Sequence, residues 1–286
     1  MNIAITGASG NIGGMVARHL NTRGLPLILP LRNPAKAPDL PNCEARRFAY
    51  GDLELAKQAL NGVDVLFMVS AAESPTREQE HLTLVQAASV AGVQHMVYLS
   101  FAQAALDSTF TLARTHAVTE NAIRQTNMRY TFLRDNFYSE MMATIANAPI
   151  IAGSADDGRV ACVSQRDVAQ AAANVIADIA CGNHRHDNQT YTLTDSQSLN
   201  FAEIAAVLTE ITGKPHLYHN ETLEEAFASR KAAYPDTPDW QIEAWVSTYT
   251  AIAKGELAAV SDDLPKLLER EPRRFVEVAK DIYDAA

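Results

Sequence analysis

Three glycines, at positions 7, 10 and 13, follow the apolar run Ile3, Ala4, Ile5 in the stretch Thr6 to Gly14, TGASGNIGG. Lacking a Cβ, glycine lets a backbone come close to a pyrophosphate, and a helix N-terminus just beyond offers unpaired N–H groups to the negative charge. The chemistry implied is dinucleotide binding. Ile12, Val16 and Leu20 recur at four-residue steps, as one face of a helix requires, and Gly24 reads as that helix's stop. The spacing GxxGxxG is one residue wider between its first two glycines than the common fingerprint.

Which dinucleotide depends on the end of the second strand. In NAD sites a carboxylate there, about twenty residues past the glycines, accepts hydrogen bonds from the ribose 2′-hydroxyl. This chain has Arg32-Asn33 instead. A guanidinium holds a 2′-phosphate through forked, charge-assisted hydrogen bonds, so NADP(H) is the expected cofactor. Lys36 adds charge one helical turn further on. The plainer reading of Arg32 is a solvated arginine in the turn before Pro34.

Cys43, Cys162 and Cys181 are odd in number, far apart and form no CxxC pair, so reduced thiols are expected. His184-x-His186 and His216-x-x-His219 lack a cysteine or carboxylate at ligand spacing, and no metal is expected. The first pair lies in CGNHRHDN, which reads as a surface loop. Arg166 opens a helix and reaches either the ligands or, as the simpler reading, a nearby acid such as Asp167.

Strand and helix signals alternate through the first half, predicting an α/β fold with a doubly wound parallel sheet. Strands are expected at Leu25 to Arg32, Arg46 to Tyr50, Val63 to Val69, His95 to Ser100 and Tyr130 to Arg134, after the first at Ile3 to Ile5. Pro26 and Pro30 are awkward in an interior strand because neither has an N–H for the ladder. Asp52 can cap a helix from Leu53 to Asn61, Ser74-Pro75 can open one that runs to Gly92, and a further helix spans Thr111 to Thr126. Beyond about residue 150 the alternation loosens. The expected division is 1–150 for a cofactor domain and 151–286 for a smaller, partly interleaved substrate region. Within the latter, short strands are read at Val160 to Val163 and Tyr191 to Thr194. Ser164-x-x-Asp167, Asn200-x-x-Glu203 and Thr222-x-x-Glu225 read as capping boxes, and the tail from Trp240 as mostly helical.

At 286 residues the chain can bury a sizeable core, and no apolar stretch approaches the ~20 residues of a membrane span. With the first strand starting at residue 2, no signal peptide is expected and a cytoplasmic location is. Asp and Glu outnumber Lys and Arg by 34 to 24, which disfavours direct binding to nucleic acid. A homodimer is one expected assembly.

The segments TGASGNIG, LRNPAK, GVDVLFMVS, YLS and YTFLRDNFYSE, in this order and spacing, resemble the NmrA-like branch of the atypical short-chain dehydrogenases. The resemblance continues through VSQRDVAQAAANVI and EPRRFVEV, and within the branch it is closest to the bacterial NAD(P)H:quinone oxidoreductases. It implies a Rossmann domain and a smaller C-terminal domain that closes a cleft over the nicotinamide. Thr6, Gly7, Ala8, Ser9, Gly10, Asn11 and Ile12 would line the pyrophosphate, Arg32 would meet the 2′-phosphate, and Asp52 would lie near the adenine. Ser70, Ala71 and Ala72 would border the nicotinamide ribose, with Asn136, Phe137 and Tyr138 near the nicotinamide and substrate.

One departure matters. Standard members of the superfamily use Tyr-x-x-x-Lys, whose lysine lowers the tyrosine pKa for proton exchange with a carbonyl. Aligning Glu120 with the acid that often follows that motif puts Leu112 and His116 in the two positions. The expected catalytic residues are therefore His116, Tyr138 and Asn136, beside water. His116 either donates a proton or merely packs on the cofactor edge, and Tyr138 and Asn136 either orient a carbonyl or close the core. The favoured function is hydride transfer from NADPH to a quinone, whose reduced form is a stabilised aromatic diolate. The competing reading is a non-catalytic NADP-sensing regulator, which the branch also contains.

Overall fold

The computed structural model describes residues 1–145 and 149–284. Seven parallel strands form the central sheet: β1 (Ile3–Ile5), β2 (Leu27–Leu31), β3 (Cys43–Arg47), β4 (Val65–Met68), β5 (His95–Phe101), β6 (Arg129–Asp135) and, far along the chain, β9 (Gln189–Leu193), in the order β3-β2-β1-β4-β5-β6-β9. Between the sheet strands run α1 (Asn11–Asn21), α2 (Leu53–Ala59), α3 (Arg77–Ala91), α4 (Thr111–Arg124) and, before β9, α6 (Gln165–Ala180). The remaining elements are α5 (Ser139–Ile145), β7 (Ile150–Gly153), β8 (Arg159–Val160), β10 (Leu199–Asn200), α7 (Phe201–Thr212), β11 (Leu217–Asn220), α8 (Leu223–Ala233), α9 (Asp239–Ala253), α10 (Asp263–Leu268) and α11 (Phe275–Asp284).

Side chains of a strand alternate between faces, so one strand feeds two cores. Ile3, Ile5, Leu29, Phe67, Val97 and Leu133 pack under α1 and α6. Ala4, Ile28, Leu66, Met68, Met96 and Phe132 pack under α2 and α3. A third cluster, including Phe101, Phe110, Phe137, Phe201, Ile252 and Phe275, gathers the C-terminal elements over the ends of β5 and β6. Two of the three proposed boxes form: Asn200 with Glu203 and Thr222 with Glu225 each exchange both hydrogen bonds.

Pro30 does sit in an interior strand, and the ladder accommodates it. Leu27 N–H bonds Asn42 O and Leu31 O receives Phe48 N–H, so the odd residues of β2 face β3. Pro30 is out of phase and faces β1, beyond Ile28, the last residue of β2 paired there. The missing N–H is not needed.

Some expected boundaries move. The third strand is Cys43–Arg47 rather than Arg46 to Tyr50, because this half-exposed edge strand carries no buried alternation to mark it. Helix α3 starts at Arg77, after a turn in which Arg77 N–H bonds Ser74 O, and not at Pro75. Ser164 caps α6 through Arg166 N–H, but Asp167 does not close the box. Its buried carboxylate is taken by the Arg270 side chain and the Arg273 N–H, tying the tail to the sheet layer. The stretch CGNHRHDN is an exposed loop as expected, but within it the His186 side chain turns inward and is buried, bonded to Tyr191 and Asp178.

Candidate functional site

The sheet order reverses between β1 and β4, and doubly wound sheets bind ligands at such a switch point, beyond the carboxyl ends of the strands. A cleft of 830 Å³ lies there. It is bordered by the glycine turn, by Pro30 to Arg32 at and after the end of β2, by Val69 to Ser74 after β4, and by Asp135 to Tyr138 at and after the end of β6.

The glycines of the turn differ in purpose. Gly7 has φ +67°, which a side chain rarely tolerates, and a Cβ on Gly13 would stand 2.4 Å from the Gly7 carbonyl oxygen. A close turn therefore leads straight into α1. Its N-cap, Gly10, has no side-chain cap and no acid follows in the first turn, so the N-terminal N–H groups and dipole are left for an anion. Arg32, exposed on the cleft's edge, makes no hydrogen bond or ion pair among the described residues. These groups fit a dinucleotide phosphate with a second phosphate near Arg32.

Of the expected cofactor-lining residues, Gly7, Ser9, Gly10, Asn11, Ile12, Arg32, Ser70, Ala71, Ala72, Asn136 and Phe137 face the cleft, whereas Thr6, Ala8 and Asp52 do not. Thr6 is fully buried, and its hydroxyl spans β1 and β4, accepting from Val69 N–H at 2.9 Å and donating to Phe67 O. Ala8 turns toward a neighbouring recess with Arg18 and Lys36. Asp52 is spent as the N-cap of α2, taking Leu55 N–H at 3.0 Å, and Tyr50 and Gly51 face the cleft in its place. Arg166 pairs with Asp281 at 2.9 Å.

At the other end of the cleft, Phe101, Phe110 and Phe137 meet pairwise with ring centroids 5.1 to 5.3 Å apart, an apolar surface for a flat ligand. His116 borders it, but both ring nitrogens are engaged. Nε2 lies 2.8 Å from Arg77 Nη2 and Nδ1 lies 2.9 Å from the Tyr98 hydroxyl. A guanidinium only donates, so Nε2 accepts and Nδ1 carries the proton. Burial, reinforced by Arg77, holds His116 well below the ordinary histidine pKa, which makes it a fixed neutral acceptor and not the free acid the sequence allowed. His81 is the same device: burial, then Arg77, lowers it to about 3, and its Nε2 takes Ala71 N–H at 2.9 Å, anchoring the segment after β4.

The Asn136 amide donates to Leu257 O at 3.1 Å and accepts Phe137 N–H, which fixes its orientation and leaves its second N–H for a carbonyl-orienting role. Tyr138 donates to Asp135 Oδ2 within the cleft. Burial lifts Asp135 to about 7, against the opposing pull of the Tyr138 hydrogen bond and of Arg77. Arg77, Asp135, Phe101 and Phe110 are cleft residues that sequence reasoning missed. Two had a readable signal: Phe101 and Asp135 are the last residues of adjacent parallel strands, where such sheets place their ligands.

Fold and cleft together define a dinucleotide-binding protein of the Rossmann class. More narrowly, the chain belongs to the NAD(P)H-binding family, whose model matches residues 7–179. It is 30% identical to quinone oxidoreductase 2 of Escherichia coli over 292 residues, 99% of each chain. Among solved structures, NADPH-dependent quinone oxidoreductase of E. coli in complex with NADPH superposes with a TM-score of 0.90 at 31% identity, covering 98% of this chain and 99% of that one. Triphenylmethane reductase of Citrobacter sp. in complex with NADP(H) gives 0.85 at 33% identity, with the same coverage.

Proposed function

We propose that the protein is an NADPH-dependent oxidoreductase that delivers hydride to a quinone, with residues 1–150 holding the cofactor and 151–286 shaping the acceptor end. The observation that carries this reading is the continuity of one cleft from the unpaired Arg32, past the glycine turn, to the Phe101, Phe110 and Phe137 cluster. The relatives named above are, by name, an oxidoreductase of quinones and a reductase of triphenylmethane, both acting on aromatic or quinonoid acceptors.

In this reading Ser9 to Ile12 present backbone N–H groups to the pyrophosphate and Arg32 forks onto the 2′-phosphate. Ser70 to Ala72, held by His81, set the ribose. NADPH supplies the hydride; the protein supplies position and a dry, apolar wall. A planar acceptor would rest on the phenylalanines, whose rings keep water from that wall of the cleft. Reduction of a quinone needs no strong acid at the moment of transfer, which suits a site without the Tyr-x-x-x-Lys pair.

The test is NADPH oxidation by purified protein against a panel of quinones, with NADP affinity measured by calorimetry on the same samples. Turnover on at least one quinone is expected. Tight binding with no turnover on any acceptor would instead favour a dinucleotide-sensing regulator.

A further inference from the structure

We propose that Asp135 is the proton source for the reduced acceptor and that Tyr138 passes the proton on. The inference rests on the quinone-reductase reading and adds to it the residue that completes the reaction.

Both side chains border the acceptor end of the cleft and are joined by a direct hydrogen bond. Asp135 is 5% exposed, and no lysine or arginine forms an ion pair with it among the described residues. The histidines nearby are otherwise committed, His116 accepting from Arg77 and His81 from Ala71 N–H. The charges around the pair are few. Arg77 on α3 acts on Asp135, Glu140 on α5 acts on Tyr138, and α4 contributes the neutral His116. Burial is the largest influence on the carboxyl and keeps a proton on it close to neutrality.

Hydride carries two electrons and one hydrogen to the quinone and leaves a hydroquinone monoanion. Protonated Asp135 then gives its carboxyl proton to the Tyr138 oxygen while the Tyr138 O–H bond breaks toward the acceptor oxygen. The acceptor leaves as neutral hydroquinone, Tyr138 stays neutral and Asp135 becomes a carboxylate. That carboxylate accepts the Tyr138 hydrogen bond seen here, and water reprotonates it after release.

A cationic triarylmethane dye separates this role from simple positioning, because hydride turns it into a neutral leuco form with no proton required. Asp135→Asn and Tyr138→Phe are each expected to lower the ratio of quinone to dye turnover by about tenfold or more. The wild-type quinone rate should fall as pH rises through neutrality, and the Asn variant should lose that dependence. In the cofactor-free protein, the Asp135 carboxyl carbon followed by 13C NMR, assigned by its loss in the Asn variant, should titrate near neutrality. An unchanged ratio with an unchanged pH profile, or a carboxyl that stays ionised well below neutrality, would overturn the proposal. A wild type that reduces the dye but no quinone would overturn the function proposed above, whereas normal quinone turnover in both variants would overturn only the proton route.

Discussion

Arg32 and Asp135 are the residues on which the account is most exposed to test. Arg32 has no partner among the described residues, so Arg32→Ala removes little stability and, if the guanidinium meets a 2′-phosphate, weakens NADPH binding about 10- to 100-fold while leaving NADH nearly unaffected. Calorimetry with both nucleotides measures the difference. Asp135 makes a separate prediction about stability. A carboxyl whose folded pKa is raised binds its proton more tightly in the folded state, so its own contribution to stability is greatest below the ordinary carboxylate range and falls as pH rises toward about 7. Asp135→Asn abolishes that loss. Its stability should gain on that of the wild type between about pH 4 and pH 8, by on the order of 1 kcal/mol or more and read as a higher melting temperature, with little difference at the acid end.

At the scale of elements, the site depends on α4 holding its register against β5 and β6. Buried Glu120 does this, accepting from Ser100 at 2.6 Å, from Arg134 at 2.7 and 2.8 Å, and from Arg124 at 3.0 Å. His116 lies one turn earlier on the same helix. Glu120→Ala leaves Arg134 without its carboxylate and should cost about 3–5 kcal/mol in denaturant unfolding. The first turn is equally exacting: Gly13→Ala puts a methyl into the Gly7 carbonyl and should abolish nucleotide binding by displacing α1. Elements that feed buried faces were legible in the sequence, since β1, β4 and β5 carry apolar runs with glycine or polar stops. The half-exposed β3 was misplaced because nothing in its composition demands burial. Within the site, the glycine turn and Arg32 were readable as local patterns. Thr6 was assigned to the ligand because a sequence cannot show that a side chain is already spent on a strand partner, whereas Asp52 was read both as a helix cap and as a neighbour of the adenine, and the cap is what forms. The pairing of Arg77 with His116 joins residues on two helices and has no local signature at all.

Across the whole molecule, the sheet brings the ends of β1, β2, β4, β5 and β6 to one edge, and the C-terminal elements cover the β5–β6 side with a core of their own. The cleft opens beyond those strand ends, walled by the glycine turn and by the segments after β4 and β6. Stability of this arrangement depends on keeping buried histidines neutral. Burial lowers His81 to about 3 and His95 to about 4, and lowers His116 as well. Bases with depressed folded pKa values stabilise fully above their ordinary value and lose that contribution as pH falls through it. Thermal melts should therefore drop between about pH 7 and pH 5, the three histidines outweighing the opposite trend of Asp135. The central claim, that this cleft moves hydride from NADPH to a quinone, is tested most directly by a single turnover with NADPH deuterated at the transferring position. The account predicts stoichiometric formation of hydroquinone, a rate slowed by deuterium and no requirement for flavin or metal. Protein saturated with NADPH that oxidises none of it in the presence of any quinone tested would contradict it.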